Sequence, residues 1–270
     1  MGNQSSTQLQ FTLIDNKERA EDLLEQAEKT DLYLTECHDD KNNSYARRQL
    51  TYVPNAINML DTRFYTLTLD NMKDNIPVRL LTDLGVINII QLMPSADGGM
   101  PHTRPGNIIC YPDIQKISSI STLVHELWHI HQRNFQDIWK KVFHRLGWTE
   151  WKGKLPLLIE NNTRYNPDTI DSPLWIFKNT WIPVPVFNDI STPKINSVTI
   201  WFYNNMTHYH SKTIPDEIQE LFPNLPSSAY EHPRELTAYM LSEPSTQQLS
   251  PGYKALIEAV GHLSVMPDHE

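Results

Sequence analysis

The sequence predicts an α+β fold, and two kinds of segment indicate it. Residues 63–69, 86–92 and 107–111 are rich in β-branched and aromatic side chains and are separated by turn residues, which is typical of strands. Apolar residues at helical spacing then run from Ser118 toward Gly147. We expect the three strands to form a sheet that packs against this long helical segment.

Residues 1–44 are predicted to form a flexible N-terminal tail and a docking helix. The tail covers residues 1–15, and the charged segment after it carries apolar residues suited to docking on the main body: Leu23, Leu24, Ala27 and Leu32. Residues 45–270 are expected to form the main domain. An irregular insertion is predicted at about 150–227, because residues 156–226 hold nine of the 19 prolines and three tryptophans. Such an insertion is well placed to form one wall of a cleft.

Shorter elements are expected around these segments. A glycine-rich loop at residues 98–101 precedes the expected edge strand at 107–111. The remaining elements are a helix at 77–84, strands at 181–187 and 197–203, and a closing helix at 250–263 with Ser250 as its cap.

The composition indicates one moderately large soluble domain that does not bind nucleic acid. The 270 residues are 39% hydrophobic and 20% charged, which is enough to bury a sizeable core. The net charge of -9 and the lack of a run of lysine and arginine argue against binding to nucleic acid. Two cysteines, Cys37 and Cys110, suit a reducing compartment. The sequence shows neither a secretory signal nor a run of about 18 apolar residues, so we expect a cytoplasmic protein.

The strongest indication of chemistry is the segment His-Glu-Leu-Trp-His at residues 125–129. Two histidines four residues apart on a helix project from one face, where both imidazoles can bind a single zinc ion. Glu126 then lies beside the open position of the metal, where it can take a proton from water as a general base. The hydroxyl-rich segment 118–122 favours a helix start just before the motif, which predicts that the motif is helical.

A catalytic zinc site needs a third protein ligand and leaves its fourth position to water. Glu235 is the best candidate, because Pro233 fits the first position of a helix and places Glu235 in its first turn. Glu231 is a weaker candidate, since it precedes that helix and is expected in the approach loop. The remaining candidates are Cys110 and the pair His208 and His210, which would share one face of a strand.

Two spaced patterns, His125-Glu126-x-x-His129-x-x-Gln132 and Pro233-x-Glu235-x-x-Ala238, resemble those of zincin metallopeptidases whose third ligand is a glutamate, the gluzincin-like group. In that group a mixed sheet packs on the motif helix, an edge strand aligns the substrate backbone, and a later helix supplies the glutamate. The resemblance implies three zinc ligands, His125, His129 and Glu235, with Glu126 as the general base. The chain differs in spacing, because about a hundred residues separate the two patterns.

Residues near the two patterns have candidate supporting roles. The amide of Gln132 is placed either to orient a ligand or to bond a backbone group. Tyr239, one turn beyond Glu235, is a candidate to stabilise the oxyanion at a substrate carbonyl, or else a buried aromatic residue with a solvated hydroxyl. The segment Asn-Pro-Asp-Thr at residues 166–169 could supply a carboxylate that supports a zinc-bound histidine, but it predicts first of all a turn and is left out of the expected site.

The first six residues, Met-Gly-Asn-Gln-Ser-Ser, fit the N-myristoylation pattern. The pattern predicts an acylated Gly2, a membrane contact through the acyl chain, and a eukaryotic host cell. A single myristoyl chain binds membranes only marginally, and no polybasic segment offers a second signal. Stable membrane association would therefore need a partner or an oligomer.

Three functions are compatible with these predictions. The first is a zinc-dependent peptide-bond hydrolase, a metallopeptidase that acts on a peptide or protein substrate. The second is a catalytically silent scaffolding protein of zincin fold, which would have a closed ligand shell, for example with His208 or His210 as fourth ligand. The third is a metal-dependent amidase that acts on small amides with Cys110 as third ligand. The identity of the ligands and the access to the fourth position separate the three.

Overall fold

The computed structural model describes residues 8–36, 52–189, 191–244 and 248–262. Its strands form two sheets with helices packed around them, so the α+β class is confirmed. The first sheet packs on the motif helix, and the second sheet belongs to the predicted insertion. The domain boundary expected between residues 44 and 45 lies outside the described residues.

The helices of the described residues vary in length from one turn to about four turns. In chain order they are α1 Lys17–Asp31, α2 Tyr33–Glu36, α3 Met59–Met72, α4 Val78–Asp83, α5 Ile120–Asn134, α6 Gln136–Arg145, α7 Leu157–Glu160, α8 Asp216–Gln219, α9 Pro233–Ser242 and α10 Pro251–His262. The helices predicted at residues 77–84 and 250–263 are confirmed as α4 and α10. None of the described helices combines the length and hydropathy that a membrane span requires.

The first sheet contains four strands in the order β1-β2-β4-β3. Their bounds are Gln10–Leu13 for β1, Val86–Gln91 for β2, His102–Arg104 for β3 and Ile108–Tyr111 for β4. Strands β1, β2 and β4 run parallel and β3 runs antiparallel to β4, so the sheet is mixed. The strand predicted at residues 86–92 is confirmed as β2.

Helices bury both faces of this sheet. Successive side chains of a strand point to opposite faces. Ile87 and Ile89 of β2 therefore pack in the same cluster as the motif helix α5, whereas Ile90 packs with residues of α1. This arrangement explains why apolar residues occupy both odd and even positions of β2.

The edge strand beside α5 is β3, whereas we expected the edge at residues 107–111. Strand β4 forms there and lies inside the sheet, between β2 and β3. The physical reason is a tight turn. Gly106 and Asn107 have positive φ angles of 85° and 57°, which lets residues 102–104 fold back beside β4.

The N-terminal segment differs from the expected flexible tail. Strand β1 lies within that segment and pairs with β2 at the other edge of the first sheet. The docking face of the helix that follows is confirmed for Leu24 and Ala27, which are buried. Leu32, in contrast, adopts a left-handed conformation at the end of α1 and is 47% exposed.

Residues 63–69 lie in helix α3, so the strand predicted there is wrong. The helix begins at Asn58, whose side-chain oxygen caps the first turn. Tyr65 and Leu69, one turn apart, face the core. Packing of this apolar face outweighs the strand preference of the β-branched and aromatic residues in the segment.

The long helical run predicted toward Gly147 is divided into α5 and α6. Helix α5 begins at Ser119, whose hydroxyl caps its first turn, and the two helices are separated at Phe135. The end expected near Gly147 is confirmed, because the positive φ angle of 91° at this glycine does not continue a helix. The motif therefore lies in the middle of a helix of about four turns.

The insertion forms a second sheet, which is antiparallel and has the strand order β5-β6-β7-β8-β9. The bounds are Trp148–Glu150, Trp175–Phe177, Trp181–Phe187, Val198–Asn204 and His210–Ser211. The strands predicted at 181–187 and 197–203 are confirmed as β7 and β8. Trp148, Trp175 and Phe177 pack in the same hydrophobic cluster as α5, so the insertion shares the main core.

Helix α9 packs against α5 and brings the second sequence pattern beside the first. Pro233 occupies the first turn of α9, as predicted. His232 caps the helix, and its Nδ1 atom accepts a hydrogen bond of 3.0 Å from the backbone N–H of Arg234. This packing determines where the side chains of α9 lie relative to the motif.

Candidate metal centre

Two histidines of α5 face the same point. His125 and His129 lie one helical turn apart, and their Nε2 atoms are 3.0 Å apart. The side chain of His129 is fully buried, and that of His125 is 15% exposed. Leu123 and Leu127 of the same helix pack into the main core and fix its rotation.

Glu235 of α9 completes a group of three candidate ligands. Its Oε2 atom lies 3.3 Å from His125 Nε2, and its Oε1 atom lies 3.4 Å from His129 Nε2. The three donor atoms all lie within 4.8 Å of one another. Two imidazole nitrogens and one carboxylate oxygen therefore form a group that could hold a metal ion, although about a hundred residues separate Glu235 from the histidines.

Gln132 orients His129 and joins the two ligand helices. An amide oxygen can only accept, so His129 Nδ1 donates the hydrogen bond of 3.1 Å to Gln132 Oε1. With Nδ1 occupied in this way, Nε2 is the nitrogen of His129 that faces the other candidate ligands and could bind a metal ion in place of its proton. The amide nitrogen of Gln132 donates to the backbone oxygen of Arg234 and to the hydroxyl of Thr237, each at 3.0 Å. The bond to a backbone group that we considered for Gln132 is thus present, together with a bond to the candidate ligand His129.

The charges at this group favour a bound cation. Burial by itself lowers the pKa of His129, but the carboxylates of Glu235 and Asp168 outweigh it and raise the pKa to about 9. Burial raises the pKa of Glu235, yet the imidazoles of His129 and His125 hold it well below its usual range. The Glu235 carboxylate is consequently ionised at neutral pH in a site closed to most solvent, where a positive ion is strongly attracted.

Glu126 lies beside the group with one free oxygen. Its side chain is 4% exposed, and Oε2 has no hydrogen-bond partner among the described residues. Burial, and next the nearby carboxylate of Asp168, raise the pKa of Glu126 well above its usual range. A buried carboxylate oxygen without a partner is uncommon and points to a ligand or substrate that satisfies it.

A cavity of about 280 Å³ reaches this group. It is bounded by the loop before β3, the start of α5, the segment 164–168 of the insertion, and α9 with the turn before it. His125, Glu126 and Glu235 line it, whereas His129 lies behind them. The metal group is therefore open to a small molecule or a peptide segment on one side.

Tyr239 lines the same cavity, one turn after Glu235. Its ring centroid lies 4.5 Å from that of His125, and its hydroxyl oxygen is 3.3 Å from the hydroxyl of Ser228. Burial, followed by the charge of Glu235, raises the pKa of Tyr239 to about 12. The phenol is therefore neutral and keeps a proton that it can donate into the cavity.

The segment 164–168 overlaps residues 166–169, which we left out of the expected site, and it contributes to the site directly. Asn166 Nδ2 donates to Glu235 Oε1 at 2.8 Å and to Glu231 Oε1 at 2.6 Å. Arg164 forms a buried ion pair with Glu231. Asp168 lines the cavity. The sequence predicted a turn here and offered a supporting carboxylate as the weaker alternative, because nothing local indicated what the turn would face.

The other candidate ligands lie elsewhere or are already paired. Glu231 lies in the turn before α9, as expected, and its carboxylate bonds Arg164 and Asn166. Cys110 belongs to the cluster on the α1 side of the sheet, away from α5. Neither residue belongs to a metal-binding group within the described residues.

His208 and His210 do not share a strand face, so that expectation is wrong. His208 adopts a positive φ of 58° in the turn before β9, and its Nδ1 lies 2.7 Å from the hydroxyl of Tyr203. His210 begins β9 and stacks on Trp201. Neither residue belongs to the metal-binding group found in the described part of the chain.

Comparison with known proteins gave no match: no protein-family model, no curated protein and no solved structure resembles this chain significantly. The interpretation of the site therefore depends on its own geometry. Three observations carry it, namely the group of three donor atoms, the cavity that reaches them, and the unpartnered oxygen of Glu126.

Proposed function

We propose that this protein is a zinc-dependent peptide-bond hydrolase of zincin-like fold. The donor set supports zinc, because two histidines and one glutamate are typical ligands of catalytic zinc and leave a fourth position for water. The observation that carries the proposal is Glu126, whose buried and unpartnered oxygen lines the same cavity as His125 and Glu235. A general base must lie within reach of such a water molecule.

In this mechanism His125, His129 and Glu235 would hold the zinc ion, and the chemistry supplied by a bound zinc ion would be activation of a water molecule and polarisation of the substrate carbonyl. Glu126 takes the proton from the attacking water. It then delivers that proton to the amine that leaves, so the amide is cleaved without a covalent intermediate. The neutral hydroxyl of Tyr239 donates a hydrogen bond to the carbonyl oxygen as negative charge develops there.

A catalytic role is better supported than a structural one. A structural zinc site is closed by a fourth protein ligand, whereas here a cavity reaches His125 and Glu235. His208 and His210, the candidates for a fourth ligand, take part in other contacts. The amidase alternative required Cys110 as a ligand, and the position of this residue on the other side of the sheet does not favour it.

The zincin-like fold is proposed on the arrangement of three elements. A mixed sheet packs on α5, its antiparallel edge strand β3 lies beside the cavity, and α9 supplies Glu235. These features agree with what the resemblance of the two sequence patterns implies. The substrate is proposed to be a peptide or protein. Nucleic acid is not proposed as a partner, since the net charge is -9.

A cytoplasmic location with N-terminal acylation is part of the proposal. Gly2 and Cys37 lie outside the described residues, so this part depends on the sequence pattern alone. A myristoyl chain would add a weak membrane contact to a catalytic domain that works without it.

The proposal is tested with Glu126→Gln, which keeps the shape of the side chain but cannot accept a proton. Zinc content is measured by elemental analysis, and cleavage is measured on denatured casein and on a mixture of quenched fluorescent peptides. We expect about one zinc per chain in both proteins and a loss of cleavage of at least about 100-fold in the variant. Glu18→Gln, on the exposed side of α1, is the matched control and should cleave normally. A parent protein without zinc, or a variant with unchanged cleavage, contradicts the proposal.

A further inference from the structure

The segment 164–168 forms one wall of the cavity. The side chain of Asn166 bonds Glu235 of α9, 2.8 Å away. The backbone oxygen of Pro167 accepts a hydrogen bond of 2.7 Å from Arg133 of α5. The side chain of Asp168 bonds Thr103 of β3. Three different elements therefore hold this wall, and the side of the cavity that it forms is called the closed end.

The hydrogen bonds between Asp168 and Thr103 lie at β3, the edge strand of the first sheet. Within the described residues β3 pairs only with β4, so the backbone groups on its other side lie outside the sheet, where those without another partner could pair with a substrate in extended conformation. The N–H of Thr103 is one of these groups, and it donates to Asp168 Oδ1 at 2.7 Å. A peptide that pairs with β3 therefore has to stop before Thr103, at the closed end of the cavity.

Asp168 presents a free carboxylate oxygen at this closed end. The residue is 5% exposed, and its Oδ1 atom accepts both hydrogen bonds from Thr103, at 2.7 Å from the nitrogen and 2.6 Å from the hydroxyl. Among the described residues its Oδ2 atom has no hydrogen-bond partner and no ion-pair partner, and the side chain lines the cavity. A carboxylate that is so deeply buried normally has a cation beside it.

Two cations that line the cavity are paired with other carboxylates. Arg164 is paired with Glu231. His102 Nε2 lies 3.1 Å from Asp97 Oδ2, and although burial lowers the pKa of His102, the charge of Asp97 raises it to about 10.

Two arginines lie behind this wall of the cavity and bond other atoms. Arg133 donates to the hydroxyl of Thr103, and Arg234 donates to the backbone oxygen of Asp168 and not to its carboxylate. Among the described residues no cation is therefore bonded directly to the Oδ2 atom of Asp168 at the closed end of the cavity.

We propose that Asp168 forms a subsite for the ammonium group of a substrate at the closed end of the cavity. This inference rests on the proposed hydrolase function, because it names the substrate class of the same cleft. An ammonium group is compact and carries three N–H donors, which suits a single buried carboxylate oxygen. A second metal ion is a poorer occupant, since within the described residues Asp168 belongs to no group of metal ligands. The ammonium group can come from the N-terminus of a peptide or from a lysine side chain.

The test uses small hydroxamates, which bind zinc without being hydrolysed. Calorimetry on the zinc-loaded protein compares lysine hydroxamate in four forms: unmodified, acetylated on the α-amino group, acetylated on the ε-amino group, and acetylated on both. We expect the doubly acetylated form to bind at least about tenfold more weakly than one of the singly acetylated forms. Preference for a free α-amino group identifies the peptide N-terminus, and preference for a free ε-amino group identifies lysine.

Asp168→Asn then removes the charge but keeps an oxygen that can accept from Thr103. Its zinc content and circular dichroism should equal those of the parent, and the amine preference should fall to about twofold or less. Asp137→Asn, at an exposed position of α6, is the matched control and should keep the preference. If the parent binds all four hydroxamates equally well, the proposed subsite is wrong, and this result does not require a variant.

Retention of the full amine preference by Asp168→Asn overturns the subsite as well. Acetohydroxamate, which has no amine, separates this failure from a failure of the proposed function. If acetohydroxamate binds the zinc-loaded parent, and the hydroxamates with a free amine bind no more tightly than the doubly acetylated one, only the subsite is wrong. If the parent takes up no zinc or does not bind acetohydroxamate, the proposed function and the subsite that rests on it are both wrong.

Discussion

Gln132 offers the most direct test of how the site is built, because it serves a ligand and the helix packing at once. It is fully buried, and its amide forms three hydrogen bonds, to His129, to the backbone oxygen of Arg234 and to Thr237, at 3.1, 3.0 and 3.0 Å. Replacement by methionine, Gln132→Met, keeps the length of the side chain and removes all three bonds. No substrate needs to be known for this experiment.

The expected size of the effect follows from what the change leaves unpaired. Thr237 keeps its hydrogen bond of 2.8 Å to the backbone oxygen of Pro233, so it loses little. The Nδ1–H of His129 has no other partner among the described residues and stays buried without one. The lost bond from Gln132 to the backbone oxygen of Arg234 and the unpaired Nδ1–H of His129 together lower the free energy of unfolding by about 2–4 kcal/mol. Removing the partner that orients a histidine ligand typically weakens zinc binding about 10–100-fold.

Zinc affinity is measured by competition with a fluorescent chelator, and the free energy of unfolding by urea titration of the zinc-free protein. Gln26→Met, at an exposed position of α1, is the control for the exchange itself and should change neither quantity. A folded Gln132→Met protein with the zinc affinity of the parent would show that Gln132 does not orient a metal ligand. Loss of stability with full zinc affinity would assign it to helix packing alone.

Three further predictions address the third ligand, the acid stability and the N-terminus. Glu235→Gln should lose most of its bound zinc in elemental analysis, whereas Cys110→Ser should retain it, because only the first side chain points at the histidines; zinc retained by the first variant would remove Glu235 from the site. Burial, and next the charge of Arg234, lower the pKa of His232 to about 3 in the folded protein, whereas its pKa in the unfolded chain is about 6.5. Between these two pH values only the unfolded chain takes up the proton, so the free energy of unfolding falls as the pH falls. His232→Asn keeps a side chain that can cap the helix but cannot titrate. With zinc removed by a chelator, the free energy of unfolding of this variant should depend less on pH across that window than that of the parent. An identical pH dependence would exclude His232 as the group responsible. Co-expression with an N-myristoyltransferase should add one myristoyl group to the parent but none to Gly2→Ala, and an unmodified parent in mass spectrometry would contradict the acylation pattern.

The motif helix could be predicted because all of its signals are local. A hydroxyl cap, an apolar stripe at helical spacing and two histidines four residues apart lie within one short stretch of chain, and each has the same meaning in any fold. Glu235 was found for a similar reason, since Pro233 marks the helix start that places it. The helix packing that joins the two stretches could only be expected from the resemblance.

Elements whose structure depends on distant partners could not be predicted in the same way. Residues 63–69 have the composition of a strand, but the burial of Tyr65 and Leu69 against the core makes them helical. Strand β1 is only four residues long, and its pairing with the distant strand β2 leaves no signal in its own sequence. The tight turn at Gly106 folds β3 back beside β4, so that β3 and not β4 is the edge strand. The pattern of apolar residues does not predict this turn.

The same limit applies to the cavity wall at residues 164–168. Asn166 bonds a residue 69 positions away, and Asp168 bonds one 65 positions away, so neither contact leaves a trace in the local sequence. A turn pattern shows that the chain reverses there, and it does not show which side chains the turn will meet. An analysis of local sequence patterns therefore misses site residues such as Asn166 and Asp168, which lie in a turn.

The position of this segment has a consequence for the long spacing between the ligands. Because the insertion lies between the histidines and Glu235 in the chain, its segment 164–168 can bond the proposed third ligand through Asn166 and the edge strand through Asp168 at the same time. One stretch of backbone is therefore bonded both to the proposed metal site and to the proposed substrate subsite. A substrate that engages Asp168 would also restrain Asn166, two residues away, and through it the carboxylate of Glu235. A change at Asn166 should for this reason weaken zinc binding and, through the shared backbone, also alter the amine preference, whereas Asp168→Asn alters the preference alone. Neither residue belongs to the group of three candidate ligands.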